Sequence, residues 1–104
     1  MAEQEKRSPV YEFIPNLGRL RDDVLFGDVW EGTDLSKRDR SLVTVAVLAA
    51  LYRTDELKGH MRRALDNGVT EEELKGLITH IAFYAGWPNA VNAGRVALEV
   101  FGPQ

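Results

Sequence analysis

The run "LVTVAVLAALY", Leu42 to Tyr52, constrains the fold more than any other stretch of the chain. A helix through these eleven residues is apolar on almost every side. An ordinary surface helix carries only one apolar stripe, so this one has to be covered from several directions. The run is too short to span a bilayer, so a membrane cannot be what covers it. Other helices must do so, from the same chain or from further copies of it.

The rest of the chain offers helices and no defensible strand. No Val/Ile/Thr-rich segment alternates with period two between turn residues. The first ten residues are polar and read as a flexible arm, leaving residues 11 to 104 as one helical domain. A first helix is expected over about residues 11 to 26, with Phe13, Leu17, Leu20, Val24 and Leu25 as its apolar stripe. Gly27 and Gly32 interrupt the connection that follows. Ser36 is the expected N-cap of the second helix, with Asp39 near its positive end. Thr54 is expected to cap a third helix that stops at Gly68. Thr70 and Glu73 have capping-box spacing for a fourth, ending at Gly86. Pro88 suits the first turn of a fifth.

The expectation is therefore an all-α fold, a small five-helix bundle. Five helices in a chain of 104 residues leave little to enclose the second one, which points to self-association. Ala90, Ala93, Gly94 and Ala97 are small residues at helical spacing. They would admit another helix closely, either from a second copy or within the chain.

Composition narrows the function. Charged residues make up 28% of the chain, with a net charge of −3 and no basic block, which argues against nucleic acid or an anionic membrane surface as partner. "MRRALDNGVTEEELKGLITH" has helix-turn-helix spacing, but its second helix opens with Glu71, Glu72 and Glu73. Those carboxylates would be repelled by phosphates. With no cysteine, thiol redox chemistry and thiolate metal sites are excluded. The two histidines lie 20 residues apart without metal-motif spacing, so no metal is expected. The N-terminus has no signal-peptide core, and a cytoplasmic location is the default expectation.

Two helical stripes carry reactive groups. Arg53, Glu56 and His60 fall on one face at i, i+3 and i+7. A plain account makes them a solvated stripe in which Arg53 and Glu56 pair. A chemical account notes that a fixed cation, a carboxylate and an imidazole can hold an anionic substrate and move a proton. The stripe also directly follows the most apolar helix, so its start is expected near the interior. His80, Tyr84 and Trp87 form the second stripe, at i, i+4 and i+7. They could line a pocket, or sit at the edge of the core with their polar atoms satisfied locally.

Several of these pieces, "RSLVTVAVLAAL", "RTDELKGH", "ALDNGVTEEE" and "YAGWPNA", together resemble the carboxymuconolactone decarboxylase family, from about Phe26 to Phe101. The resemblance implies an all-helical fold similar to alkylhydroperoxidase D-like proteins, assembled as homotrimers or homohexamers. The peroxidase branch of that superfamily uses a Cys-x-x-Cys pair and a following histidine. Arg53 and Glu56 occupy the places of the cysteines here, and the histidine stands as His60. What the resemblance then implies is a cofactor-independent carboxy-lyase acting on a small carboxylated lactone in the breakdown of aromatic compounds. A related enzyme on a different small acid and a non-catalytic oligomeric module are the alternatives. In the lyase, Arg53 or Arg40 would grip a carboxylate and His60 would donate the proton. Glu56 would orient that imidazole or act as an acid itself. His80 would stabilise an enolate oxygen, and Tyr84 and Trp87 would wall off water.

Overall fold

The computed structural model describes residues 8–102. Among them there is no strand, and the order of elements is α1 (Val10–Phe13), α2 (Pro15–Arg19), a π-helical segment (Leu20–Val29), α3 (Lys37–Ala50), α4 (Thr54–Asp66), α5 (Glu71–Ile81) and α6 (Trp87–Phe101). The all-α expectation holds. The polar arm expected over residues 1 to 10 lies outside the described residues for its first seven.

The chain divides into two compact units, one up to Lys37 and one from Arg38 onward. In the first, the single helix expected over residues 11 to 26 is three segments. Pro15 is the cause of the first break. Proline disfavours the helical region for the residue before it, and Ile14 sits at φ −122°, ψ 82°. Beyond Leu20 the backbone widens to π geometry, in which the Trp30 N–H donates five residues back, to the Leu25 carbonyl at 2.9 Å. Gly27 permits this winding: a Cβ there would lie 2.9 Å from the Asp22 carbonyl oxygen. The Arg21 guanidinium packs over the Tyr11 and Phe26 rings at 5.3 and 4.9 Å. The expected stripe of Phe13, Leu17, Leu20, Val24 and Leu25 is exposed at every position.

The second unit holds the core. α4 contributes Leu57, Met61 and Ala64 at i, i+4 and i+7, all fully buried. α3 adds Val45 and Ala49, and α5 adds Leu74 and Ile81. α6 packs against both α4 and α5, burying Ala90, Ala93, Val96 and Ala97. Ala90, Ala93 and Ala97 thus serve a crossing within the chain, whereas a Cβ on Gly94 would meet nothing within 4 Å. Buried Ser41 on α3 accepts a 3.0 Å hydrogen bond from Asn67 Nδ2 at the end of α4, satisfying a hydroxyl that would otherwise be costly to bury.

Helix ends follow sequence in most cases. Thr70 and Glu73 form a complete capping box: Thr70 N–H donates to Glu73 Oε1 at 2.9 Å, and Glu73 N–H to Thr70 Oγ1 at 3.1 Å. α4 closes in a Schellman motif, with the Val69 N–H on the Ala64 carbonyl and Gly68 at φ +98°. Pro88 lies in the first turn of α6. Two expectations need correction. Thr54 is the first residue of α4 and not its cap; Arg53 occupies the cap position with no side-chain hydrogen bond. α3 closes so tightly that Arg53 is already its last closing residue, and no spacer remains. α5 stops at Ile81, because residues 82 to 85 tighten into i→i+3 turns such as Tyr84 N–H to the Ile81 carbonyl.

α3 itself is half covered. Val45 and Ala49 are in the core, while Val43, Val47 and Leu51, one turn apart from each other, are about half exposed. Among the described residues, this face of α3 is left uncovered.

Candidate functional site

The seven candidate residues belong to three places in the second unit. Arg40 lies in the first turns of α3, half-buried, with its Nε shielded from solvent. Arg53 and Glu56 stand at the start of α4, both exposed, and His60 lies one turn further on, half-buried with its Nδ1 shielded. This graded burial follows from α4's register. Leu57 and Met61 turn fully inward, so His60 between them sits at the margin of the core, whereas Arg53 and Glu56 lie on the open first turn. His80 lies in the last turn of α5 and is exposed, with the Tyr84 ring tilted against its imidazole at 4.8 Å between centroids. Trp87 opens α6 and meets Phe83 edge-on at 5.9 Å. Tyr84 is 81% and Trp87 63% exposed, so in the single chain these rings form an open rim and not a wall.

The corner between α3 and α4 joins the two stripes. α3 ends in a Schellman motif: the Arg53 N–H donates to the Leu48 carbonyl at 2.8 Å and the Tyr52 N–H to the Ala49 carbonyl at 3.2 Å. The left-handed position, filled by Gly68 at the end of α4, is filled here by Tyr52 at φ +59°. A tyrosine there is strained by roughly 1–2 kcal/mol. The neighbouring Ala50 carbonyl accepts 3.0 Å from Asn89 Nδ2, and the same nitrogen donates 3.0 Å to the Ala85 carbonyl. Both amide hydrogens are thereby used. They fasten the Tyr52–Arg53 corner to the turn that carries Tyr84 and leads into Trp87.

Asn89 and Tyr52 were not among the residues singled out from sequence. The available signal was the absence of any glycine or asparagine where α3 had to end, together with a side-chain donor just after Pro88.

Among the described residues, no three His, Asp or Glu side chains are placed to hold a metal ion, and no helix is long and apolar enough to cross a membrane. A groove of about 510 Å³ between α5 and α6 is lined by Lys75, Ile78, Gly94, Leu98 and Phe101 among others, and by none of the seven candidates.

Residues 15–99 match the sequence pattern that defines the carboxymuconolactone decarboxylase family. The chain belongs to that family. It is 51% identical over 76 residues to a 4-carboxymuconolactone decarboxylase of Acinetobacter baylyi, a match covering 73% of this chain and 57% of that protein. It is 37% identical over 68 residues to a nitrosuccinic acid decarboxylase of Metarhizium robertsii, covering 65% and 48%. An uncharacterised protein of Methanocaldococcus jannaschii is 29% identical over 94 residues, covering 90% and 80%. The matched segments thus span about half the length of the two named decarboxylases.

Proposed function

We propose that this member of the carboxymuconolactone decarboxylase family is a cofactor-independent decarboxylase of a small carboxylated substrate, 4-carboxymuconolactone or a near relative. The observation that carries the reading is the grouping at one corner of the second unit. A fixed cation at Arg53 holds the cap position at the start of α4, a half-buried imidazole at His60 stands two turns along the same helix, and Asn89 fastens the Arg53 corner to the turn bearing Tyr84. The likeness to two decarboxylases supports it.

The substrates named for those relatives have one chemical feature in common. Each carries a carboxylate whose loss leaves an electron pair on a carbon next to an acceptor, a conjugated lactone in one and a nitro group in the other. In this chain, Arg53 or Arg40 pairs with a substrate carboxylate and fixes its orientation. As the carbon–carboxylate bond breaks, carbon dioxide departs and the bonding pair moves onto the acceptor oxygen. His80 stabilises that developing charge by donating a hydrogen bond. The His60 imidazolium then protonates the carbanionic carbon, and solvent returns the proton to His60. Glu56 orients the His60 ring or donates the proton in its place. Tyr84 and Trp87 shield the reacting carbon once the rim is closed.

Closure comes from self-association, as a homotrimer or homohexamer in the cytoplasm. Its support is the exposed Val43, Val47 and Leu51 face of α3, which a further copy would cover. The test is carbon dioxide release from a panel of carboxylated lactones and nitro acids. Turnover of at least one above the uncatalysed rate is expected; a flat panel with folded protein overturns the reading.

A further inference from the structure

We propose that Asn89 is a positioning residue of this site. By holding the Tyr52–Arg53 corner against the turn ahead of α6, it sets where the Arg53 guanidinium meets a substrate carboxylate beside the Tyr84 and Trp87 rings. The proposal rests on the decarboxylase reading for its chemistry and on the geometry around Ala50 for its mechanism.

A Schellman closure satisfies the carbonyls of Leu48 and Ala49 through the backbone, and the Ala50 carbonyl accepts instead from Asn89 Nδ2 at 3.0 Å. The corner is held in a conformation that tyrosine disfavours, with φ +59° at Tyr52. Such a backbone persists only where its surroundings over-determine it, and the Asn89 side chain fastens it from outside α3 and α4. The same nitrogen reaches the Ala85 carbonyl at 3.0 Å, and Pro88 supplies no N–H at that turn. One half-buried amide thus carries two bonds to two loops, and each loop bears candidate binding residues. Aspartate in its place has the same shape and no donor, and it would set a carboxylate against two carbonyl oxygens.

His60 is held differently, by the fully buried Leu57 and Met61 on either side of it in α4. Loss of the clamp should therefore disturb substrate capture and spare proton transfer. The experiment compares wild type with Asn89→Asp by amide hydrogen exchange and by steady-state decarboxylation of 4-carboxymuconolactone. Exchange at the Tyr52 and Arg53 amides is expected to accelerate about tenfold or more, with the Glu73 amide in the capping box unchanged. KM is expected to rise about tenfold with kcat within about threefold of wild type. A merely structural loss would lower the active fraction, and hence kcat, without moving KM. Unchanged exchange at Tyr52 and Arg53, or a fall in kcat at constant KM, overturns the proposal. If wild type releases no carbon dioxide from any substrate, the decarboxylase reading fails, and the exchange comparison still decides whether Asn89 holds the corner.

Discussion

Replacing Leu57 by alanine tests the packing on which the site stands. Leu57 is completely buried, lies in α4 between Glu56 and His60 in sequence, and belongs to the core built from α3, α4, α5 and α6. Its removal loses transfer free energy and leaves a cavity that rigid neighbours on several helices cannot fill. Substitutions of this type cost about 3 kcal/mol, with a spread of about 2–5. For a domain near this size each kcal/mol lowers Tm by roughly 4–8 °C, so a drop of about 12 °C or more is expected. Leu51→Ala supplies the contrast. Leu51 is 58% exposed in the single chain, so the same truncation should cost about 1 kcal/mol or less when protein is dilute. If further copies cover α3, that cost grows with protein concentration, because association stabilises only the folded state. Urea melts of both variants at two concentrations separate these effects. A Leu57→Ala loss below about 1 kcal/mol would refute the burial argument for α4.

Three further outcomes are expected. Thr70→Ala removes the acceptor for the Glu73 N–H and should lower stability by about 1 kcal/mol, read as a shift in the urea midpoint at constant slope. Glu73 is held below its ordinary value of 4.5 by the Thr70 backbone N–H, with the Arg38 guanidinium adding to the effect. Its contribution is therefore present above about pH 4.5 and lost as pH falls through the lowered value, and Glu73→Gln should flatten that part of the stability–pH curve. Gly68→Ala places a Cβ on a residue at φ +98° and should cost about 1 kcal/mol, whereas Tyr52→Gly relieves strain and should leave stability equal or higher in thermal melts.

Local signals in the sequence carried most of the second unit. The capping box at Thr70, the stop at Gly68 and the start at Pro88 all act through nearest-neighbour hydrogen bonds or backbone preference, so they are visible in a few adjacent residues. The apolar run of α3 was equally plain, although it did not say which face would be left exposed. The first unit was less legible, because Phe13, Leu17, Leu20, Val24 and Leu25 have helical spacing whether or not the backbone between them is continuous. Pro15 and Gly27 were the residues that decided it. At the candidate site, spacing placed Arg53, Glu56 and His60 on one helix and His80 and Tyr84 near the next turn. It could not say that Asn89 links the end of α3 to the turn bearing Tyr84, since Asn89 lies 39 residues from its partner Ala50. Burial was misjudged for a related reason. Arg53 and Glu56 follow the apolar helix in sequence, but the tight corner at Tyr52 turns them outward in the single chain.

In the proposed decarboxylation, His60 delivers the proton and the chain's own side chains do the rest. Carbon dioxide release from 4-carboxymuconolactone by wild type and by His60→Gln, at matched oligomeric state and folded fraction, tests it most directly. The expectation is that the variant binds substrate with KM little changed and loses about 100-fold or more in kcat. Turnover by His60→Gln within about twofold of wild type would contradict it.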